Sequence, residues 1–214
     1  MITPTPEFWK VFKETEGALS CTEAVAIVNI AAQAPGGVNC LEMGTYKGKS
    51  ACAALIGLKE GGFFHLLEPE FSDPYFLDEA HKSIRKTKKI TGKKITCLLS
   101  NAYSTDFIER YDNYCYVFSD AGNHQDGLPM QEVKLLEDRM ISGGIIAFHD
   151  FKSQFVEVEG AYNYLLSTGK YDEIKIDWDE IISYVKENDL ETGNSSWHHN
   201  EIDFPCFVGA VKRK

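Results

Sequence analysis

The sequence lacks several features that would assign it to a specialised class of protein. It contains no run of apolar residues long enough to span a bilayer, and its first ten residues lack the basic segment and apolar run of a signal peptide. The six cysteines stand singly, with no C-x-x-C pair. Unpaired cysteines in apolar segments are typical of a reducing compartment. We therefore expect a cytoplasmic protein without a disulfide framework, and no membrane partner.

Positive charge is also scarce. Lys and Arg number 22 against 32 Asp and Glu, which gives a formal net charge of −10. A negatively charged chain is repelled by phosphate backbones and by anionic membrane surfaces. The composition thus argues against nucleic acid as a partner and favours a small-molecule ligand.

The 214 residues alternate between short apolar strands and amphipathic helices. Strands are predicted to end at Leu41 and to cover 63–67, 95–99, 114–118 and 145–148, with helices between them. Five such alternations imply a parallel sheet with helices on both faces, an α/β Rossmann-like doubly wound fold. The tail suggests strands at 174–176, 181–185 and 207–211, which would form an antiparallel edge. We expect one domain over 1–214, with the helices of 1–37 packing on or capping its core.

Helix boundaries are also readable. Ser20 and Glu23 have the spacing of a capping box, and Asp73 followed by Pro74 is typical of a helix start. A helix over 129–140 is predicted to stop at Gly143 and Gly144.

Residues 40–50, with the sequence CLEMGTYKGKS, join the first predicted strand to a helix rich in small residues. The dinucleotide fingerprint G-x-G-x-x-G fails there because Tyr46 occupies the second glycine position. A phosphate-binding P-loop needs four residues between its glycines, and Gly44 and Gly48 are separated by three. Glu42 would also repel phosphate. A carboxylate beside G-x-x-x-G suits an amino-acid moiety or a nucleoside. Glu68, after the second strand, is placed to accept hydrogen bonds from the hydroxyls of a ribose.

These features resemble class I S-adenosylmethionine-dependent methyltransferases, and more narrowly the macrocin-type sugar O-methyltransferases. The resemblance is carried by Glu42 to Ser50, Glu68, the run Ser119-Asp120-Ala121-Gly122-Asn123-His124, Gly143-Gly144 and His149-Asp150. It covers almost the whole chain and implies a sheet of about seven strands, mostly parallel with an antiparallel C-terminal strand. The cofactor-binding residues that it implies are Glu42, Gly44, Tyr46, Gly48, Ser50, Glu68, Asn101, Ala102 and Asp120, with Asn101 and Ala102 beside the adenine.

The acceptor side is expected where the fourth and fifth strands end. Asp120, His149 and Asp150 would lie close together there and form a metal site. Hard oxygen ligands suit Mg²⁺, whereas the imidazole suits Mn²⁺, Fe²⁺ or Zn²⁺ better. The catalytic candidates are Asp120, His149 and His124, the last as general base. His124 stands one residue beyond the spacing of the family, so Asn123 could take that position instead.

Two further functions stay open at this stage. The ending Gly48-Lys49-Ser50 is compatible with a P-loop phosphotransferase or NTPase, and a non-catalytic relative of the methyltransferase fold would keep the same residues as a binding module. The acceptor is not identified by the sequence. The oligomeric state, including a homo-oligomer, is equally open.

Overall fold

A computed structural model of the chain describes residues 1–120, 126–151, 155–190 and 207–213. The strands are β1 (Asn39–Met43), β2 (Phe63–Leu67), β3 (Thr96–Ser100), β4 (Tyr114–Ser119), β5 (Met140–Phe148), β6 (Tyr171–Glu173) and β7 (Val208–Lys212). The helices are α1 (Pro6–Glu14), α2 (Cys21–Ala31), α3 (Lys49–Gly57), α4 (Pro74–Thr91), α5 (Ser104–Ile108), α6 (Leu128–Leu136), α7 (Val156–Ser167) and α8 (Trp178–Glu187).

The strands form one seven-stranded sheet in the order β3-β2-β1-β4-β5-β7-β6. Pairs among β1 to β5 are parallel, and β7 is antiparallel to both of its neighbours. The predicted fold class is therefore confirmed. The order of the strands reverses between β1 and β4, and ligands of open α/β sheets bind at such a switch point, beyond the carboxyl ends of the strands.

Helices cover both faces of the sheet. Helices α1 to α4 and α8 supply the core of one face, and α5 to α7 supply the core of the other. The first helix buries Phe8, Trp9 and Phe12, so this aromatic cluster is part of the core. The capping box of Ser20 and Glu23 is present at the start of α2, and Asp73 caps α4 as predicted. Among the described residues, none of the helices could span a bilayer, and none of the five cysteines forms a disulfide bond.

The predicted end of the sixth helix is wrong. Helix α6 ends at Leu136, and Met140 already belongs to β5. Gly143 and Gly144 lie inside that strand, where the pairing with β4 is irregular. A Cβ on Gly144 would come within 2.9 Å of the carbonyl oxygen of Tyr114. This glycine therefore permits a close approach of two strands rather than stopping a helix.

The predicted tail also needs correction. Residues 181–185 are helical, because Asp177 caps α8 by accepting the N–H of Glu180. Ile181 and Val185, four residues apart, lie on one helical face and are buried. The sixth strand occupies Tyr171–Glu173 and ends just before the predicted segment 174–176. The β-branched residues of 181–185 favour a strand by propensity. The burial of Ile181 and Val185 against the core favours a helix, and this tertiary contribution is the larger one.

Candidate functional site

A cleft of about 640 Å³ lies at the carboxyl ends of β1, β2, β4 and β5. Its floor comes from the loop after β1, which we call the glycine loop (residues 44–48). Glu68, Asp120 and His149 reach it from the ends of the other three strands. Its opposite wall is the segment that joins α1 to α2, residues 15–19, which we call the strap. The cleft thus occupies the place where the topology predicts a ligand.

The glycine loop is stabilised by backbone hydrogen bonds to the end of β2 and within the loop itself. The N–H groups of Gly44 and Thr45 donate to the carbonyl oxygen of Leu67, both at 3.0 Å, and that of Gly48 donates to Thr45 at 2.8 Å. Gly48 precedes α3 with φ +84°, a conformation that favours glycine. Because these N–H groups are satisfied within the protein, the loop does not present them as a phosphate cradle.

Glu68 joins this loop to the end of β2. Its carboxylate accepts the N–H of Tyr46 at 2.8 Å and that of Glu70 at 3.1 Å. Burial raises the pKa of Glu68 above its ordinary value. Since each carboxylate oxygen has a second lone pair, Glu68 can still accept hydrogen bonds from a ligand in the cleft.

Glu42 lies inside β1 rather than beyond its end, and it is fully buried. Ser50 Oγ donates to Glu42 Oε1 at 3.2 Å, and the described lining of the cleft includes Ser50 but not Glu42. Burial raises the pKa of Glu42 well above its ordinary value, and the charges of Asp120 and Glu68 raise it further, against a lowering by Ser50. These shifts favour the protonated form of the Glu42 carboxyl group, and its predicted contact with the cofactor stays a prediction.

Asn101 and Ala102 follow β3, as predicted, but the described lining of the cleft does not include them. Asn101 is exposed, and Ala102 packs against the apolar core. Their proposed contact with adenine stays a prediction.

Asp120, His149 and Asp150 form a compact cluster at one end of the cleft. His149 Nδ1 lies 3.4 Å from Asp120 Oδ1 and 3.4 Å from Asp150 Oδ2. One ligand atom from each of the three residues lies within 4.8 Å of the others. His149 and Asp150 are buried, and Asp120 is partly exposed at the cleft. The three residues that the sequence assigned to a metal site are thus brought together.

Glu23 adds a third carboxylate that the sequence did not assign to the site. Its Oε1 lies 3.3 Å from His149 Nε2, while its Oε2 accepts the N–H and the hydroxyl of Ser20. Burial alone would lower the pKa of His149, but the carboxylates of Asp120 and Glu23 raise it well above its ordinary value. In the sequence, only the capping-box pattern marks Glu23. That pattern accounts for the contacts of Oε2 with Ser20 but not for the contact of Oε1 with His149.

Two lysines that follow β1, Lys47 of the glycine loop and Lys49 at the start of α3, contact the strap. Lys47 forms an ion pair with Glu16 and lies over the ring of Tyr75 at 4.7 Å. Lys49 Nζ donates to the carbonyl oxygen of Gly17 at 3.2 Å and lies 4.5 Å from the ring centre of Phe12. Burial lowers the pKa of Lys49. In a P-loop the corresponding lysine reaches the phosphates, whereas here it is directed to the strap.

The predicted general base falls on a segment that the structure does not describe. His124, and Asn123 which could replace it, lie outside the described residues. Their roles stay predictions.

Comparison with known proteins places this fold among methyltransferase structures. No family model matches the chain, and no curated protein matches it. The solved structure of an O-methyltransferase from Bacillus cereus in complex with SAH is similar, with 14% identity over 100% of this chain and 93% of that chain and a TM-score of 0.63. TomG, an O-methyltransferase from Streptomyces achromogenes solved in complex with SAM, gives 13% identity, 100% and 92% coverage and a TM-score of 0.63.

An rRNA methylase from Streptococcus thermophilus is similar at 11% identity, over 88% of this chain and 95% of that chain, with a TM-score of 0.56. At these identities the likeness establishes the Rossmann-like fold that the chain shares with these methyltransferases. It leaves the activity of this chain to be argued from the site.

Proposed function

We propose that this protein is an S-adenosylmethionine-dependent methyltransferase that acts on a hydroxyl oxygen of a small molecule with the help of a divalent metal. The whole chain, 1–214, would form its single domain. One observation carries the proposal: Glu68, Asp120 and His149, from the ends of three strands, line one cleft with the glycine loop. The fold is shared with structures of O-methyltransferases that bind SAH or SAM.

The cleft has the polar groups that such a cofactor requires. Glu68 would accept hydrogen bonds from the ribose hydroxyls, and the glycine loop with Ser50 would contact the methionine portion of the cofactor. Lys49, which lines the cleft and is partly desolvated, supplies a positive charge for the cofactor carboxylate. When bound, S-adenosylmethionine supplies an electrophilic methyl group, and the work of the protein is to hold the two reactants in line.

The residues at the metal position fit a divalent cation. His149 Nδ1 lies 3.4 Å from a carboxylate oxygen of each aspartate, and one ligand atom from each of the three residues lies within 4.8 Å of the others, so one cation between them would be within reach of all three. One imidazole and two carboxylates suit Mn²⁺, Fe²⁺ or Zn²⁺, and Mg²⁺ less well. A metal held there would lower the pKa of an acceptor hydroxyl.

The acceptor itself is proposed from charge. Glu16, Glu68, Glu70 and Asp120 line the cleft, and the chain carries a net charge of −10, so a polyanionic acceptor would be repelled. Because an rRNA methylase is among the similar structures, RNA belongs among the acceptors to be tested. His124, four residues after Asp120, remains the proposed general base.

The test combines binding with turnover. We expect calorimetry to detect binding of S-adenosylmethionine and S-adenosylhomocysteine, and methyl-labelled cofactor to label at least one hydroxyl compound in a panel of sugars, phenols and other metabolites. Absence of cofactor binding would overturn the proposal. Binding without transfer to any acceptor, unaffected by Asp120→Asn, would favour a non-catalytic binding module.

Binding of ATP and labelling of RNA are measured beside this panel. ATP binding that depends on Lys49 would favour a phosphotransferase, a function that no contact of the described residues supports. Labelling of RNA with none of the small molecules would replace the proposed acceptor class and leave the cofactor assignment intact.

A further inference from the structure

We propose that Glu23 is a positioning residue that holds His149 with Nδ1 toward a bound metal and Nε2–H toward its own carboxylate. This inference rests on the metal site of the proposed function. It assigns a role to a residue of α2, which lies outside the strand ends that carry the rest of the site.

The two nitrogens of His149 face different partners. Nδ1 faces Asp120 and Asp150, each at 3.4 Å, whereas Nε2 faces Glu23 Oε1 at 3.3 Å. A cation shared with the two aspartates therefore meets Nδ1. An imidazole binds a metal through an unprotonated nitrogen, so the proton must stay on Nε2, which lies 3.3 Å from the Glu23 carboxylate.

Glu23 is itself held in place. Its Oε2 accepts the N–H of Ser20 at 2.9 Å and the Ser20 hydroxyl at 2.8 Å, and its own N–H donates to Ser20 Oγ at 3.1 Å. Only 12% of the side chain is exposed. The helix behind it is anchored in the core by Ala24 and Val25, both fully buried. The carboxylate thus has little freedom to leave His149.

The contact also joins the strap to the metal position. The strap ends at Leu19, directly before Ser20, and both the strap and His149 line the cleft. The capping box that starts α2 therefore fixes the end of the strap and the orientation of His149 with one carboxylate.

Glu23→Gln separates this role from helix capping. Glutamine serves in a capping box as glutamate does, so the start of α2 survives while the negative charge opposite Nε2 is lost. Loss of such an outer carboxylate weakens metal binding by about 10- to 100-fold. The matched control is Asp177→Asn, which changes the capping carboxylate of α8 to an amide without touching the site.

The experiment measures Mn²⁺ affinity of the full chain by calorimetry, together with ¹⁵N chemical shifts of the histidine nitrogens in the Zn²⁺-loaded protein. We expect Glu23→Gln to bind Mn²⁺ about 10- to 100-fold more weakly than the wild type, and Asp177→Asn to match the wild type. The shifts of His149 should show Zn²⁺ on Nδ1 and the proton on Nε2.

An affinity of Glu23→Gln within twofold of the wild type, or Zn²⁺ on Nε2, would overturn the inference alone. Absence of metal binding by the wild type that still binds S-adenosylhomocysteine would overturn the metal part of the proposed function as well. If Glu23→Gln does not fold, Ser20→Ala loosens the same carboxylate, and an unchanged Mn²⁺ affinity in that variant would count against the inference.

Discussion

The carboxylate of Glu68 accepts the backbone N–H of Tyr46 at 2.8 Å, which joins the end of β2 to the glycine loop after β1. One side chain thereby shapes the loop and faces the ligand position. Because one carboxylate has both positions, we expect its replacement to change both the affinity for the ligand and the order of the glycine loop.

Replacing Glu68 by Gln should weaken cofactor binding. The amide loses the charge that strengthens hydrogen bonds from the ribose hydroxyls, and its NH2 group cannot accept one of the two N–H groups, of Tyr46 and Glu70, that the carboxylate accepts. Hydrogen bonds to charged groups contribute about 1.5–3 kcal/mol. We expect the Kd for S-adenosylhomocysteine, measured by calorimetry, to rise roughly 10- to 150-fold. Glu109→Gln, at an exposed position, is the control. Equal affinities of the two variants would exclude the ribose contact.

Lys49→Met should act on one end of the cofactor only. If Lys49 Nζ faces the cofactor carboxylate, its loss should weaken binding of S-adenosylhomocysteine by about tenfold or more. The decarboxylated analogue should bind the variant and the wild type equally. Lys89→Met, an exposed lysine of α4, serves as control. An equal loss with both ligands would show that Lys49 acts on binding only through its hydrogen bond to Gly17 of the strap, without contacting the cofactor carboxylate.

Glu42 should make the stability of the protein depend on pH. Its pKa in the folded state lies well above its ordinary value of 4.5, mainly because of burial. The folded state therefore holds the proton more tightly than the unfolded state. This contribution to the free energy of unfolding is complete below pH 4.5 and is lost as the pH rises toward the folded pKa.

Glu42→Gln removes this dependence because it keeps a neutral group of the same shape. We expect urea unfolding between about pH 5 and 8 to show a flatter profile for this variant than for the wild type or Glu109→Gln, with the difference growing as the pH rises. A profile parallel to that of the wild type would show that Glu42 does not take up the proton.

Removal of metal should separate transfer from cofactor binding. Asp120, His149 and Asp150 would hold the metal, whereas the ribose contact is assigned to Glu68. Treatment with a chelator should abolish methyl transfer to a hydroxyl acceptor, leave the Kd for S-adenosylhomocysteine within about twofold, and be reversed by Mn²⁺. His149→Ala should behave like the chelated wild type but resist rescue. Full activity after chelation would rule out assistance by a metal.

Local patterns in the sequence were sufficient for much of the fold. Periodicity and helix caps reveal features that depend on residues only a few positions apart. These features are the succession of the first five strands along the chain, the capping box at Ser20 and the helix start at Asp73. The strand predicted over 181–185 was wrong because Ile181 and Val185 suit either a strand or a buried helical face. Only packing against the rest of the core distinguishes the two.

The candidate site was likewise predictable only in part from the sequence. The sequence by itself determined which polar residues follow the strands, among them Glu68, Asp120 and His149, because parallel strands bring their carboxyl ends to one edge. Only the tertiary structure decided that Glu42 is fully buried and that Glu23 reaches His149. Burial and contacts between distant segments arise when helices pack on the sheet, and no local pattern encodes them.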